Sequence, residues 1–584
     1  MAQSVLTGSG ARRRRSRRRR RRRPIQRRWR KPVQRRWRLT RAIPIVVLAA
    51  AAFAAGVLIA TAPGRDERHL VSDYVQAWSR DDYARMYALL DGASRARLSE
   101  ARFASAYRNA ATTATLLSIS PGRVGNLHGG AIAVRMAVAT RLFGTLRETL
   151  SVPLTGSGSS ARVHVTDQVL FPGLRPGERL RRDVALAPRA SLLASDGTPL
   201  AQGPTRSSPI PDVASQVVGT LRPIPAADRA RYAAAGYPPN AKIGIDGLER
   251  IFQRQLAGTP GGTLLAGKRV LARRAPVAGV DVKTTIDPTI ERAAITAIAG
   301  RYAAMAAIDP RTGAVRALVN FAFSVLQPPG STMKIITATA ALQAGIVKLS
   351  DTFPVATSST IDGYTLQNAG GEACGGTLLN AFAVSCNSVF APLGARLGAQ
   401  PLVAMAQRFG FNQPPSIEGA AESQIPSAAT IGDALAVGSS AIGQGRVQAS
   451  TLEMTDVAAT IAMGGRRPVP TLLAGQRPRF VRVASSRVAH EVQQMMVAVV
   501  QFGTGTAAQI PGVQVAGKTG TAELTDTASP GASSPQNTDA WFVGYAPVGH
   551  PRIVVGALFP AQGGGGATAA PPVHDVLVAA LQGH

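Results

Sequence analysis

The chain has 584 residues, which is too long for one hydrophobic core and excludes a single-domain protein. Its formal charge is +33, from 66 Lys plus Arg against 33 Asp plus Glu. Residues 1–42 hold 19 of those cations and no acid, so most of the excess is one tail and the charge does not mark the whole chain as a nucleic-acid binder.

In the tail, Arg12 to Arg41 includes the near repeat Gln26-Arg27-Arg28-Trp29-Arg30 and Gln34-Arg35-Arg36-Trp37-Arg38. So much self-repulsion and so little apolar surface predict a disordered segment. The next 23 residues, Ala42 to Gly64, are uncharged, and their apolar centre over 43–62 is long enough to span a bilayer. The basic flank puts the N-terminus in the cytoplasm and the rest outside, a single-pass cell-membrane topology. Ala60-Thr61-Ala62 offers a small-residue cleavage site as the rival reading, but the run is long for a signal peptide, so a retained anchor is expected. The tail is then expected to meet anionic lipid headgroups, not nucleic acid.

From Asp66 to Ala110 the spacing of Leu70, Tyr74, Trp78, Tyr83, Met86 and Leu89 predicts helices with one apolar face. From Thr115 to Leu170 the pattern turns to strands, such as 131–136 and 163–165, so 66–170 is expected to be a small α+β domain. Residues 171–284 are rich in Pro, Gly and Arg, with an Asp196-Gly197 turn between two short strands. An entry strand over 281–288 with a helix from Thr289, a hairpin over 306–315 and an apolar helix after Pro328-Pro329-Gly330 open the last domain, about 300 residues from 285.

Three short motifs in that domain carry the chemistry. They are Ser331-Thr332-Met333-Lys334, Ser385-Cys386-Asn387 and Lys518-Thr519-Gly520-Thr521. Only seven of the cations are Lys (Lys31, Lys242, Lys268, Lys283, Lys334, Lys348 and Lys518), and two of them stand in motifs. A buried amine can lose its proton and serve as a base, which a guanidinium cannot. Ser331 and Lys334 share one helix face at i and i+3, which brings the lysine within reach of the hydroxyl. Each motif alone has a plain structural reading: a helix start, a helix cap and a surface hairpin. Cys374 and Cys386 are a candidate disulfide beside the second motif; two free thiols are the alternative. The seven His show no metal-ligand spacing and stand in none of these motifs, and no metal or organic cofactor is expected.

In this order the three motifs, with Ile442-Gly443-Gln444-Gly445, Gly503-Thr504-Gly505 and Trp541-Phe542-Val543-Gly544-Tyr545, resemble the serine D,D-transpeptidases of the class B penicillin-binding proteins. The resemblance implies a multidomain α+β protein: tail 1–42, transmembrane helix 43–62, NTF2-like domain 66–170, dimerisation-type pedestal 171–284, and a β-lactamase-like transpeptidase domain 285–584 with an antiparallel sheet between helices. Ala190 stands where the family's pedestal commonly has Gly, and Glu291 where it often has Gln. The longer loop that often precedes Asn320 is nearly absent, which implies a more open cleft rim.

The resemblance also implies the roles. Ser331 attacks the D-Ala–D-Ala carbonyl of a peptidoglycan stem peptide, Lys334 takes its proton, and Ser385 and Lys518 relay a proton to the leaving D-Ala. Asn387 orients the acyl chain. Backbone N–H groups of Ser331 and Thr521 form the oxyanion hole. Thr519, Gly520 and Thr521 bind substrate, the two threonines holding the carboxylate. β-Lactams would acylate the same serine, and a membrane glycosyltransferase of the cell-wall machinery is an expected partner. A D,D-carboxypeptidase is the nearest alternative. A β-lactamase would need a water-activating group that the sequence does not locate.

Overall fold

The computed structural model describes residues 64–524 and 534–582, together with helical residues 48, 49, 51 and 52. The tail expected at 1–42, and all but those four residues of the span expected at 43–62, lie outside the described residues. Among the described residues no helix is long and apolar enough to cross a membrane.

The N-terminal unit opens with four helices: α1 (Arg65–Ser79), α2 (Tyr83–Ala88), α3 (Gly92–Arg97) and α4 (Glu100–Ala114). The single apolar face read from the sequence is divided because Asp82, Asp91 and Ser99 each cap a new helix, their side chains accepting from Arg85 N, Ser94 N and Arg102 N. These helices pack on an antiparallel sheet in the order β1 (Leu116–His128), β2 (Ala131–Thr140), β3 (Gly144–Thr155) and β4 (Arg162–Val163). In the core between them Trp78 meets Tyr107 edge-on, and Phe103 packs at a tilt against the same ring.

That core does not stop at residue 170. Strand β5 (Leu180–Ala185) pairs with β6 (Gly261–Ala266), which pairs with β7 (Arg269–Arg274). Leu264 and Ala266 are buried in the N-terminal core, with Phe171 and Leu174, and Leu180 and Leu271 pack against it. Two pieces of the segment 171–284 therefore complete the N-terminal unit. The remainder packs elsewhere: Leu192, Leu200, Val213, Leu248 and Val282 share a core with Ile308, Val315 and Leu318 of the C-terminal domain. Val282–Lys283 pairs in parallel with Leu192–Leu193, so this strand belongs to the middle segment.

The C-terminal domain begins with α5 (Pro288–Ile298), capped by Asp287 with Pro at its start. Its sheet has five antiparallel strands. In chain order these are β8 (Ala304–Asp309), β9 (Ala314–Val319), β14 (Ala516–Glu523), β15 (Thr538–Ala546) and β16 (Ile553–Phe559), in spatial order β9-β8-β16-β15-β14. Strands β8, β15 and β16 are buried along their whole length, because apolar cores cover both faces. Trp541, Val543 and Leu558 face the helical subdomain, while Phe542, Val555 and Phe559 face α5 and the C-terminal helix. Strand β14 is an edge.

Between β9 and β14 lies the helical subdomain. It contains α6 (Lys334–Gln343), α7 (Leu378–Ala383), α8 (Asn387–Leu397) and α9 (Ser486–Gln501). Four short strands sit beside it: β10 (Thr352–Ala356), β11 (Ser358–Ile361), β12 (Tyr364–Gln367) and β13 (Cys374–Thr377), pairing as β10-β13 and β11-β12.

Candidate active site

The three motifs meet where the helical subdomain touches the edge strand. Ser331 sits on a 3-10 turn, Gly330–Met333, just ahead of α6, and is half-buried. The turn presses on β14: a Cβ on Gly520 would lie 2.8 Å from Pro329 O and 2.8 Å from Trp541 Cβ. From the other side Gly330 N donates to Gly443 O at 3.0 Å, and a Cβ on Gly443 would lie 2.1 Å from Gly330 O. The glycines at 330, 443 and 520 are thus required by close backbone approach, which accounts for Ile442-Gly443-Gln444-Gly445 in the sequence.

Ser385 stands between α7 and α8 with φ +63°, a left-handed conformation that a serine seldom adopts. Its hydroxyl accepts from Lys518 Nζ at 2.8 Å and lies 3.3 Å from Lys334 Nζ. Lys334 Nζ also donates to Ser385 O at 2.6 Å and to Asn387 Oδ1 at 2.7 Å. Lys518 Nζ donates to Thr519 O at 3.1 Å. Helix spacing predicted a Lys334 contact to Ser331, but among the described residues its hydrogen bonds run to Ser385 and Asn387 instead.

Both ammonium groups are fully buried, Lys334 against the ring of Phe390 and Lys518 against Phe382. Burial, and then the charge of Lys518, hold the Lys334 amine well below the usual lysine range. Burial brings Lys518 down to about 7. A neutral Lys334 amine spends its two hydrogens on the contacts at 2.6 and 2.7 Å and keeps a lone pair for a proton.

Along β14, Thr519 shares a hydrogen bond of 2.5 Å with the hydroxyl of Thr504, and Thr521 Oγ1 accepts from Gly565 N at 3.4 Å. Gly565 fits there because a Cβ would lie 2.1 Å from Trp541 O and 2.4 Å from Gly520 O. Asn387 begins α8, and its Nδ2 donates to Gln367 O at 3.0 Å. Cys374, on β13, is disulfide-bonded to Cys386, with Cα atoms 5.8 Å apart. Every motif residue read from the sequence is therefore in this region. The sequence reading quoted Thr504 within Gly503-Thr504-Gly505 but gave it no role, and it missed Gly565 and Gln367 as parts of the site. The run Gly563 to Gly566 after a buried strand was the one signal available for Gly565, and Gln367 acts through its backbone, which leaves no mark in the sequence.

Residues 303–578 match the penicillin-binding protein transpeptidase domain, and residues 186–284 match the penicillin-binding protein dimerisation domain. The peptidoglycan D,D-transpeptidase PbpA of Mycobacterium tuberculosis is 34% identical over 373 residues, covering 52% of this chain and 73% of that protein. The peptidoglycan D,D-transpeptidase MrdA of Acinetobacter baumannii is 27% identical over 448 residues, 64% of this chain and 66% of its own length. Among solved structures, penicillin-binding protein A from M. tuberculosis as its penicillin G acyl-enzyme complex is similar with a TM-score of 0.55 at 29% identity, over 68% of this chain and 100% of that one. The order of motifs, the geometry around Ser331 and these matches agree: the chain belongs to the class B penicillin-binding proteins, with a dimerisation domain followed by a transpeptidase domain.

Proposed function

We propose that this protein is a serine-type peptidoglycan D,D-transpeptidase that cross-links stem peptides through an acyl-enzyme on Ser331 and is acylated there by β-lactams. The observation that carries the reading is one serine hydroxyl, Ser385 Oγ, set between two fully buried lysines next to the nucleophile turn. Buried amines with lowered proton affinity can take and return a proton near neutral pH. The names of the M. tuberculosis and A. baumannii relatives, and the acyl-enzyme complexes of the former with penicillin G and imipenem, support the same chemistry.

In this reading Ser331 attacks the D-Ala–D-Ala carbonyl and its proton passes to Lys334. The leaving D-Ala amine takes a proton through Ser385 and Lys518. Backbone N–H groups of Ser331 and Thr521 receive the oxyanion, where each donor is worth about 10²–10³ in rate. Thr519 and Thr521 hold the terminal carboxylate beside Lys518, and Asn387 holds the acyl chain. The amine of a second stem peptide then attacks the acyl-enzyme and frees Ser331. The apolar run 43–62 serves as a single anchor with the N-terminus in the cytoplasm. The Arg-rich tail lies on anionic lipid, and 66–170 is an NTF2-like module outside the membrane. A membrane glycosyltransferase supplies the glycan strands.

The test is incubation of the full-length protein with a labelled penicillin, followed by peptide mapping. A stable adduct on Ser331 is expected, and Lys334→Arg is expected to lower its formation at least ~10³-fold because the charge is kept and the base is lost. An unlabelled Ser331 would remove the reading. D-Ala release with no cross-linked product, in the presence of an amine acceptor, would redirect it to a D,D-carboxypeptidase.

A further inference from the structure

Asn387 is held from behind by a part of the fold that lies outside the three motifs. Its Nδ2 donates to Gln367 O, and its Oδ1 accepts from Lys334. An amide nitrogen carries two hydrogens, so the Gln367 bond fixes which way the amide faces and leaves one hydrogen for a ligand carbonyl. Gln367 itself is poorly anchored. It ends β12, a four-residue strand paired only with β11, and most of that strand is exposed.

The next residue supplies the missing anchor. Asn368 is 5% exposed, and both ends of its side chain are engaged. Oδ1 accepts from Ser388 N at 2.7 Å, while Nδ2 donates to Ala356 O at 2.8 Å and Glu372 O at 2.9 Å. Ser388 N is one of the free donors in the first turn of α8, and the N-cap residue of that helix, Cys386, makes no side-chain cap bond. Asn368 thus caps α8 from a different element and ties β10 and the loop before β13 to the same point.

We infer that Asn368 is the positioning residue of the amide motif: it clamps the first turn of α8 to the end of β12 so that the Gln367 carbonyl holds Asn387 ready for the substrate amide. The inference rests on the transpeptidase reading above, in which Asn387 holds the acyl chain. It makes a selective demand. A penicillin with an acylamido side chain offers Asn387 a carbonyl, whereas 6-aminopenicillanic acid does not. A residue that acts through Asn387 matters more for the first than for the second, which shares only the Lys334 contact.

The experiment measures second-order acylation rates of wild type and Asn368→Ala with benzylpenicillin and with 6-aminopenicillanic acid. A fall of about tenfold or more is expected for benzylpenicillin, on the scale by which a misplaced group costs rate. For 6-aminopenicillanic acid a fall at least roughly threefold smaller is expected, since that ligand has no bond to Asn387 to lose and shares only the Lys334 contact. Equal losses for the two, or no loss, would overturn the proposal. Should the alanine variant not melt cooperatively, Asn368→Asp decides: its oxygen still accepts from Ser388 N but no hydrogens remain for Ala356 O and Glu372 O, so a larger fall for benzylpenicillin than for 6-aminopenicillanic acid is expected, and equal losses or none would overturn it. A wild-type protein that neither penicillin acylates would remove the transpeptidase reading instead, which keeps the two failures apart.

Discussion

Glu291 is wholly buried on α5, and its one side-chain partner among the described residues is Leu318 N, which donates to Oε2 at 2.7 Å. Oε1 has none among the described residues. Burial pushes its carboxyl up to about 8. The unfolded chain would ionise near the usual carboxylate value, so between these two pH values the folded state holds a proton that the unfolded state has lost, and stability falls as pH rises towards 8. At neutral pH the side chain is a protonated acid, close in shape to an amide. Glu291→Gln is expected to raise the melting midpoint at pH 8 by several degrees, with each kcal/mol worth roughly 2–4 °C in a domain of this size. The gain should vanish near pH 4; thermal melts at the two values check it. From sequence alone Glu291 is simply a Glu in place of Gln, because its ionisation depends on packing that no motif shows. Lys334 and Lys518 were easier to read, since a rare residue type marked them.

The nucleophile turn depends on strands and helices approaching closer than side chains allow. Gly443 has φ +77° and no room for a Cβ against Gly330, whereas Gly445 has φ +69° and open space around it. Both substitutions to Ala carry the strain of a left-handed backbone, of order 1–3 kcal/mol. Gly443→Ala must also push the Ser331 turn aside, and an acylation rate at least ~10²-fold lower is expected. Gly445→Ala should lose stability but keep most of its rate; acylation and melting measured together separate the two. At this scale the hairpin over 306–315 and helix α6 were legible, because a turn signal and a long apolar run have few alternatives, whereas β15 and β16 were not read as strands. The stretch Thr352 to Thr377 was not. Its four strands have four or five residues each, too few to set a period, and the contacts that hold Asn387 come from there.

Over the whole molecule, the order of α+β unit, middle segment and large C-terminal domain could be read from shifts in pattern, but the seam between the first two could not. Strands β5, β6 and β7 are short, two of them are Arg-rich, and only the fold shows that Leu264 and Ala266 of β6 belong to the N-terminal core. Removal of residues 1–185 would strip the partner from that buried face. The resulting protein is expected to melt lower than a chain that starts at residue 64 and to self-associate, as exposed apolar surface does. Size-exclusion chromatography and melting of the two would test this; a monomer with an unchanged midpoint would contradict the shared core.

The shared core also has a mechanical consequence. The chain passes between the N-terminal unit and the middle segment three times, after β5, before β6 and after β7. A single crossing acts as a swivel. Three crossings that brace one sheet resist twisting as well as bending. The N-terminal unit is therefore expected to turn less freely against the middle segment than a unit tethered by one crossing would.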